Sequence, residues 1–197
     1  MKKMLVYITV LAILLLSGCG KSERVIKEEE KVDYTSFLSD LYDNKSDNEE
    51  LGYSIKDLDN NGIPELIISK NGVFNITVYT FSDTVVEVGN HFFGTATRRL
   101  FFSDNSSYPG MFFYFAGGGL DHYGYITIKD NKLMYEELWN EDYSGISNDL
   151  GINRNRIEVF SADKQLIEES RKVYEENNDL QFQKLQPSNF LPAGRDK

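Results

Sequence analysis

The sequence predicts an α+β fold, an antiparallel β-meander sheet flanked by an N-terminal and a C-terminal helix. Three observations carry that prediction. Apolar residues recur at helical spacing near residues 37–42 and again near 166–174. Between them, from Gly52 to about Trp139, short apolar or alternating segments are divided by turns rich in Asn, Asp, Gly and Pro. These segments follow one another too closely to hold the helical crossovers that parallel strands need.

The helical pattern opens with Phe37, Leu38, Leu41 and Tyr42, which share one face, with Asp33 or Thr35 as the cap. "DNKSDNEE" ends it. Glu65 to Ser69 is an apolar run, and Lys70-Asn71-Gly72 is a hairpin signal. Phe74, Ile76 and Val78 alternate with Asn75, Thr77 and Tyr79, as a half-buried strand requires. "TVVEV", "RRLFF", "GMFFYFAG" and "YITI" continue the series, and Asp130-Asn131-Lys132 reads as a tight turn into "LMYEEL". The last helix starts at Ser161 as its cap, presents Leu166, Ile167, Ser170, Val173 and Tyr174 on one face, and runs to about Asn177.

The N-terminus has a different character. Lys2 and Lys3 precede an apolar stretch from Met4 to Leu16, too short to span a bilayer and of the length of a signal-peptide core. Leu16-Ser17-Gly18-Cys19 follows, and Cys19 is the only cysteine, so no disulfide framework competes for it. The segment resembles the bacterial lipobox. That resemblance implies cleavage before Cys19 and lipidation of its thiol, which would tether the body to a membrane. "GKSERVIKEEEKV", residues 20–32, reads as a charged stalk, or as a short charged helix serving the same purpose. The expected organisation is a signal peptide over 1–18, the lipidated cysteine and stalk over 19–33, one α+β domain over 34–190 and an irregular tail over 191–197.

The formal net charge is −10. Nucleic acids and bare anionic membrane surfaces call for lysine and arginine clusters, so neither is an expected partner. An acidic chain suits cations.

"DLDNNGIPELII", residues 57–68, concentrates that acidity. Counting from Asp57, oxygen-bearing residues stand at positions 1 (Asp57), 3 (Asp59), 5 (Asn61) and 9 (Glu65), with Gly62 at 6 and the Ile63 carbonyl at 7. Calcium takes six to eight oxygens, and an EF-hand loop draws them from the same early positions. Gly62 permits a sharp turn, and Pro64 biases Ile63 toward extended backbone. Position 12 is Ile68 and not a bidentate glutamate, so this is not an EF-hand. The loop instead resembles the D-x-D-x-[DN]-G-x-x-[DE]-L cation loop of FG-GAP and VCBS-type repeats. The match covers Asp57 to Leu66, with Asn61 where aspartate is more usual and with a single copy, which does not support a propeller. The resemblance implies calcium held by Asp57, Asp59, Asn61, Ile63 and Glu65 in a structural role. Together with the lipobox and a β-rich body, it is similar to small lipoproteins of Gram-positive bacteria, placed on the outer face of the cytoplasmic membrane.

No complete catalytic set stands out. The two histidines, His91 and His122, lack the spacing of a zinc site, and no G-x-S-x-G occurs. Asp121-His122 beside Gly117-Gly118-Gly119 could form an acid–base pair, but reads first as a glycine hairpin with His122 on its surface. "EELWNED" gathers Glu136, Glu137, Glu141 and Asp142 around the lone Trp139 and reads first as a solvated acidic turn with the indole in the core. Tyr108, Tyr114, Tyr123 and Tyr125 belong either to the core or to a recognition face. The function these residues favour is a calcium-stabilised, membrane-tethered binding module for a protein or envelope glycan. The alternative is a hydrolase acting on envelope or extracellular polymers through carboxylates.

Overall fold

The computed structural model describes residues 32–73, 75–93, 97–142 and 156–191. The leader, Cys19, the stalk to Lys31, Phe74 and the tail from residue 192 lie outside the described residues. In chain order, α1 (Thr35–Asn44) is followed by β1 (Leu51–Lys56), β2 (Glu65–Lys70), β3 (Asn75–Phe81) and β4 (Val85–Phe92). Then come β5 (Thr97–Phe102), β6 (Met111–Gly117), β7 (Leu120–Lys129), β8 (Lys132–Asp142) and β9 (Arg156–Val159). The helix α2 (Lys164–Glu175), the two-residue β10 (Gln183–Lys184) and α3 (Pro187–Phe190) complete the chain.

The fold is α+β with antiparallel strands throughout, and the strands part into two sheets. One has the order β10-β1-β2-β3-β4, the other β5-β6-β7-β8-β9. The second is a meander of five strands, and the first is a four-strand meander, β1 to β4, with the late β10 added against β1, so both reach a common sheet size. The turns are those the sequence signals. Asn71 and Gly72 take positive φ between β2 and β3, Gly118 and Gly119 between β6 and β7, and Asp130 and Asn131 between β7 and β8. Asn, Asp and Gly tolerate left-handed backbone, which two-residue hairpins of the right twist need.

Alternation along the strands sorts the side chains into three apolar layers. Ile67, Ile76, Val78, Leu100, Met111, Phe113, Ile126 and Ile128 pack between the two sheets. Leu51, Tyr53, Leu66 and Ile68 face the other way, against Tyr34 and Leu38 at α1. Phe101, Phe112, Tyr123, Tyr125 and Trp139 face outward from the second sheet, against Leu166, Ile167 and Val173 of α2. The layers therefore run α1, first sheet, second sheet, α2. This explains why β2 is buried along five consecutive residues, since both of its faces are covered.

Asp33 accepts the Thr35 N–H at 2.9 Å at the start of α1. At α2 the cap is Asp163, not Ser161. Its carboxylate accepts the Gln165 and Leu166 N–H groups at 3.0 Å, while the Ser161 hydroxyl oxygen accepts the Asp163 N–H one step upstream. None of the described helices is long and apolar enough to cross a membrane.

Candidate cation-binding loop

The register Lys56↔Glu65 makes residues 57–64 the loop of the β1–β2 hairpin. Asn60 and Gly62 hold positive φ, 57° and 87°, and these two left-handed steps curl the chain back on itself. At Gly62 a Cβ would meet nothing within 4 Å, so glycine is favoured there by its backbone angle and not by space. Leu58 points inward and is fully buried between the sheets. With Leu58 fixed, the flanking Asp57 and Asp59 are held to one side.

Asp57, Asp59 and Glu65 converge, each offering a carboxylate oxygen within 4.8 Å of the others. Their arrangement is held by N–H donors. Asp57 Oδ1 accepts the Asn61 N–H at 3.2 Å, and its Oδ2 accepts the Gly62 N–H at 3.0 Å. Asp59 Oδ1 accepts the Asn61 N–H as well, at 3.2 Å. Asn61 serves the loop itself, since its Nδ2 donates to Asp59 Oδ2 and its Oδ1 accepts the Ile63 N–H at 2.6 Å. Ile63 lies at the exposed rim, and the Pro64 carbonyl after it accepts the Tyr34 hydroxyl at 2.9 Å.

Glu65 differs from the other two acids. It is completely buried, with Oε2 accepting the Leu58 N–H at 2.7 Å and Oε1 accepting the Thr80 hydroxyl at 3.0 Å. Burial pushes its carboxyl up to about 7, the charges of Asp59 and Asp57 add to the rise, and the two donors work against it. Asp59 is also raised, first by burial, with the charge of Asp57 contributing. Three acids sharing one small space thus repel one another, and a divalent cation placed among them would reverse that. Thr80 and Tyr34 were not legible in the loop motif, because they arrive from β3 and from ahead of α1.

The other candidate groups do not converge. Asp121 and His122 are neighbours on β7 and face opposite sides of the sheet. Asp121 accepts the Tyr114 hydroxyl at 3.3 Å, whereas His122 Nδ1 lies 2.5 Å from Glu137 Oε1 and its ring stacks on Phe115. Trp139 is buried as expected, but "EELWNED" belongs to strand β8 and is not a turn. A register shift between Tyr123 and Gly124 brings Leu138, Trp139 and Asn140 all into the buried class. Tyr123 and Tyr125 are core residues under α2, with Tyr108 and Tyr114 half-buried beside them.

Compared with known proteins, the chain matches no family model, no curated protein and no solved structure.

Proposed function

We propose that this chain is a membrane-tethered extracytoplasmic lipoprotein whose β1–β2 loop holds a structural calcium ion and whose body binds a protein or an envelope glycan. The observation that carries the ion is the meeting of three carboxylates within 4.8 Å. Calcium–oxygen distances of 2.3–2.6 Å allow ligand oxygens on opposite sides of an ion to stand about 5 Å apart, so the spacing fits. The donor set is all oxygen, the chemistry calcium takes. Asp57, Asp59 and Glu65 would supply carboxylates, with Asn61 Oδ1 and the Ile63 carbonyl as the further oxygens of the motif. The ion would neutralise the cluster and hold the hairpin. The tether rests on the sequence around Cys19. A hydrolase working through Asp121 and His122 is the weaker reading, because those two side chains serve opposite faces.

Extracellular calcium modules bind with Kd of about 10⁻⁴ to 10⁻³ M, so a site at the tight end gains about 1.4 kcal/mol at 1 mM calcium. Isothermal titration should give one site, with a matching rise in stability. Both should vanish in Asp57→Asn/Asp59→Asn. No heat and no stabilisation at millimolar calcium would end the ion reading. Changing Cys19 to serine should release the protein from membranes of a Gram-positive host. A variant that still sediments with membranes would end the tether reading.

A further inference from the structure

Asparagine followed by glycine is a labile step in a polypeptide, because glycine has no Cβ to shield its nitrogen from the asparagine amide carbon. The chain has two such steps, Asn61-Gly62 in the β1–β2 loop and Asn71-Gly72 in the β2–β3 turn, and all four residues are exposed. Gly62 and Gly72 both hold positive φ, 87° and 68°, and at neither would a Cβ meet anything within 4 Å. What surrounds the two asparagines differs.

At Asn61-Gly62 three hydrogen bonds fall on the atoms that an imide-forming reaction uses. The Gly62 N–H, on the attacking nitrogen, donates to Asp57 Oδ2 at 3.0 Å. Asn61 Oδ1, on which negative charge would grow, accepts the Ile63 N–H at 2.6 Å. Asn61 Nδ2, the leaving group, donates to Asp59 Oδ2 at 3.0 Å. A carboxylate on the attacking N–H is placed as a general base, and an N–H on the carbonyl oxygen is placed as an oxyanion donor. The bond from Ile63 to Asn61 Oδ1 also closes a ring that contains both Asn61 Cγ and the Gly62 nitrogen, which limits how far the reacting atoms can part. The Asn71 amide serves the scaffold instead. Its Oδ1 accepts the Glu50 N–H at 3.3 Å, and the Asn71 N–H donates to the Glu50 carbonyl at 2.8 Å. Among the described residues no carboxylate receives the Gly72 N–H.

We infer that Asn61-Gly62 is a self-modifying step, which deamidates with Asp57 as its base when the loop holds no ion. The Gly62 nitrogen bonds to Asn61 Cγ as its proton passes to Asp57. The Cγ–Nδ2 bond then breaks, and ammonia leaves with that proton. Water opens the resulting cyclic imide at one of its two C–N bonds, leaving aspartate or isoaspartate at position 61. The first supplies the carboxylate more usual at this place in the motif, and the second routes the main chain through the side chain. Either product puts a negative charge where an amide held Asp59. The inference goes beyond the ion reading and does not need it.

Trypsin separates the two steps, since Lys56, Lys70 and Arg98 bound the peptides 57–70 and 71–98. The full chain is kept at neutral pH for weeks, in chelator and in calcium, and sampled by mass spectrometry. The mass gain of amide-to-acid exchange is read in each peptide, fragmentation places it, and isoaspartate methyltransferase labelling counts the isomer. In chelator Asn61 should convert about tenfold faster than Asn71, short of the roughly 10²-fold of a built active site. In denaturing urea the two rates should converge. Asp57→Asn, which keeps an acceptor for the Gly62 N–H, should bring Asn61 down to the Asn71 rate, with thermal melts to check that it folds. Asn61 converting no faster than Asn71 in the parent overturns the inference and needs no variant. A folded Asp57→Asn chain converting at the parent's rate overturns it as well. On the ion reading, calcium draws Asp57 onto itself and slows Asn61 while leaving Asn71 alone. Equal Asn61 rates in calcium and in chelator count against the ion and not against the modification, which the comparison with Asn71 decides.

Discussion

Glu65 is the residue at which the ion reading can be tested most sharply, because its substitution should raise stability in chelator at high pH while removing most of the stabilisation that calcium brings. Its carboxyl is raised from an ordinary 4.5 to about 7, chiefly by burial. A carboxyl raised on folding gives stability that is full below about 4.5 and is lost as pH rises through about 7. The gap corresponds to about 3 kcal/mol lost by pH 8 in chelator. Glu65→Gln removes the titration and keeps the shape. The amide oxygen can accept the Leu58 N–H, and the Thr80 hydroxyl can turn to accept from the amide nitrogen. Urea unfolding in chelator should therefore find the variant more stable than the parent by on the order of 3 kcal/mol at pH 8 and within about 1 kcal/mol at pH 5. Calcium at pH 8 should stabilise the parent by about 1.4 kcal/mol and the variant by much less. Parallel stability curves across pH 5–8 would refute the buried-charge reasoning. Equal stabilisation of both proteins by calcium would refute Glu65 as a ligand.

Gly124→Ala should cost about 3 kcal/mol in a urea melt, because a Cβ there would overlap the Phe113 ring and the Glu136 carbonyl. Phe113→Ala, which empties a fully buried site between the sheets, should cost about 3–5 kcal/mol in the same assay. Glu169 is pushed up by burial, but donors from Ser103 and Asn105 together with Lys172 outweigh that and hold its carboxyl below 4.5. Its contribution is thus present above about 4.5 and lost as pH falls through the lowered value. Ser103→Ala should remove about 1–2 kcal/mol at pH 7, with a smaller difference near pH 3.

The turns and the helical faces were legible because they depend on neighbours in sequence. Asn71-Gly72, Asp130-Asn131 and Gly118-Gly119 each carry their own backbone preference, and Leu166, Ile167 and Val173 carry their own period. What was not legible depends on partners far away. β9 is only four residues, whose Ile157 and Val159 alternate with charged neighbours yet lie exposed, and β10 is two residues held against Gly52 and Tyr53, so both are too short to stand out. The division into two sheets is likewise silent, because Leu100, Met111 and Ile126 would alternate in the same way in one larger sheet. In the loop, the spacing of Asp57, Asp59 and Glu65 forecast their convergence. It could not forecast that Glu65 would be sealed from water by Leu58 and Thr80, which is what separates its chemistry from that of the two aspartates. Serine suits a cap position, which is why the sequence points to Ser161, yet Asp163 stands where the first free N–H groups point.

Leu58 gives the loop a property beyond composition. Its side chain is clamped between the sheets, its N–H is held by Glu65 of β2, and its carbonyl faces the Thr127 hydroxyl of β7 at 3.5 Å. A bend of this kind has one end in solvent and one end in the middle of the molecule. Deuterium should therefore enter it at two separate speeds. The Asn61 and Gly62 amides should exchange quickly and faster still in chelator, whereas the Leu58 amide should wait for the two sheets to come apart.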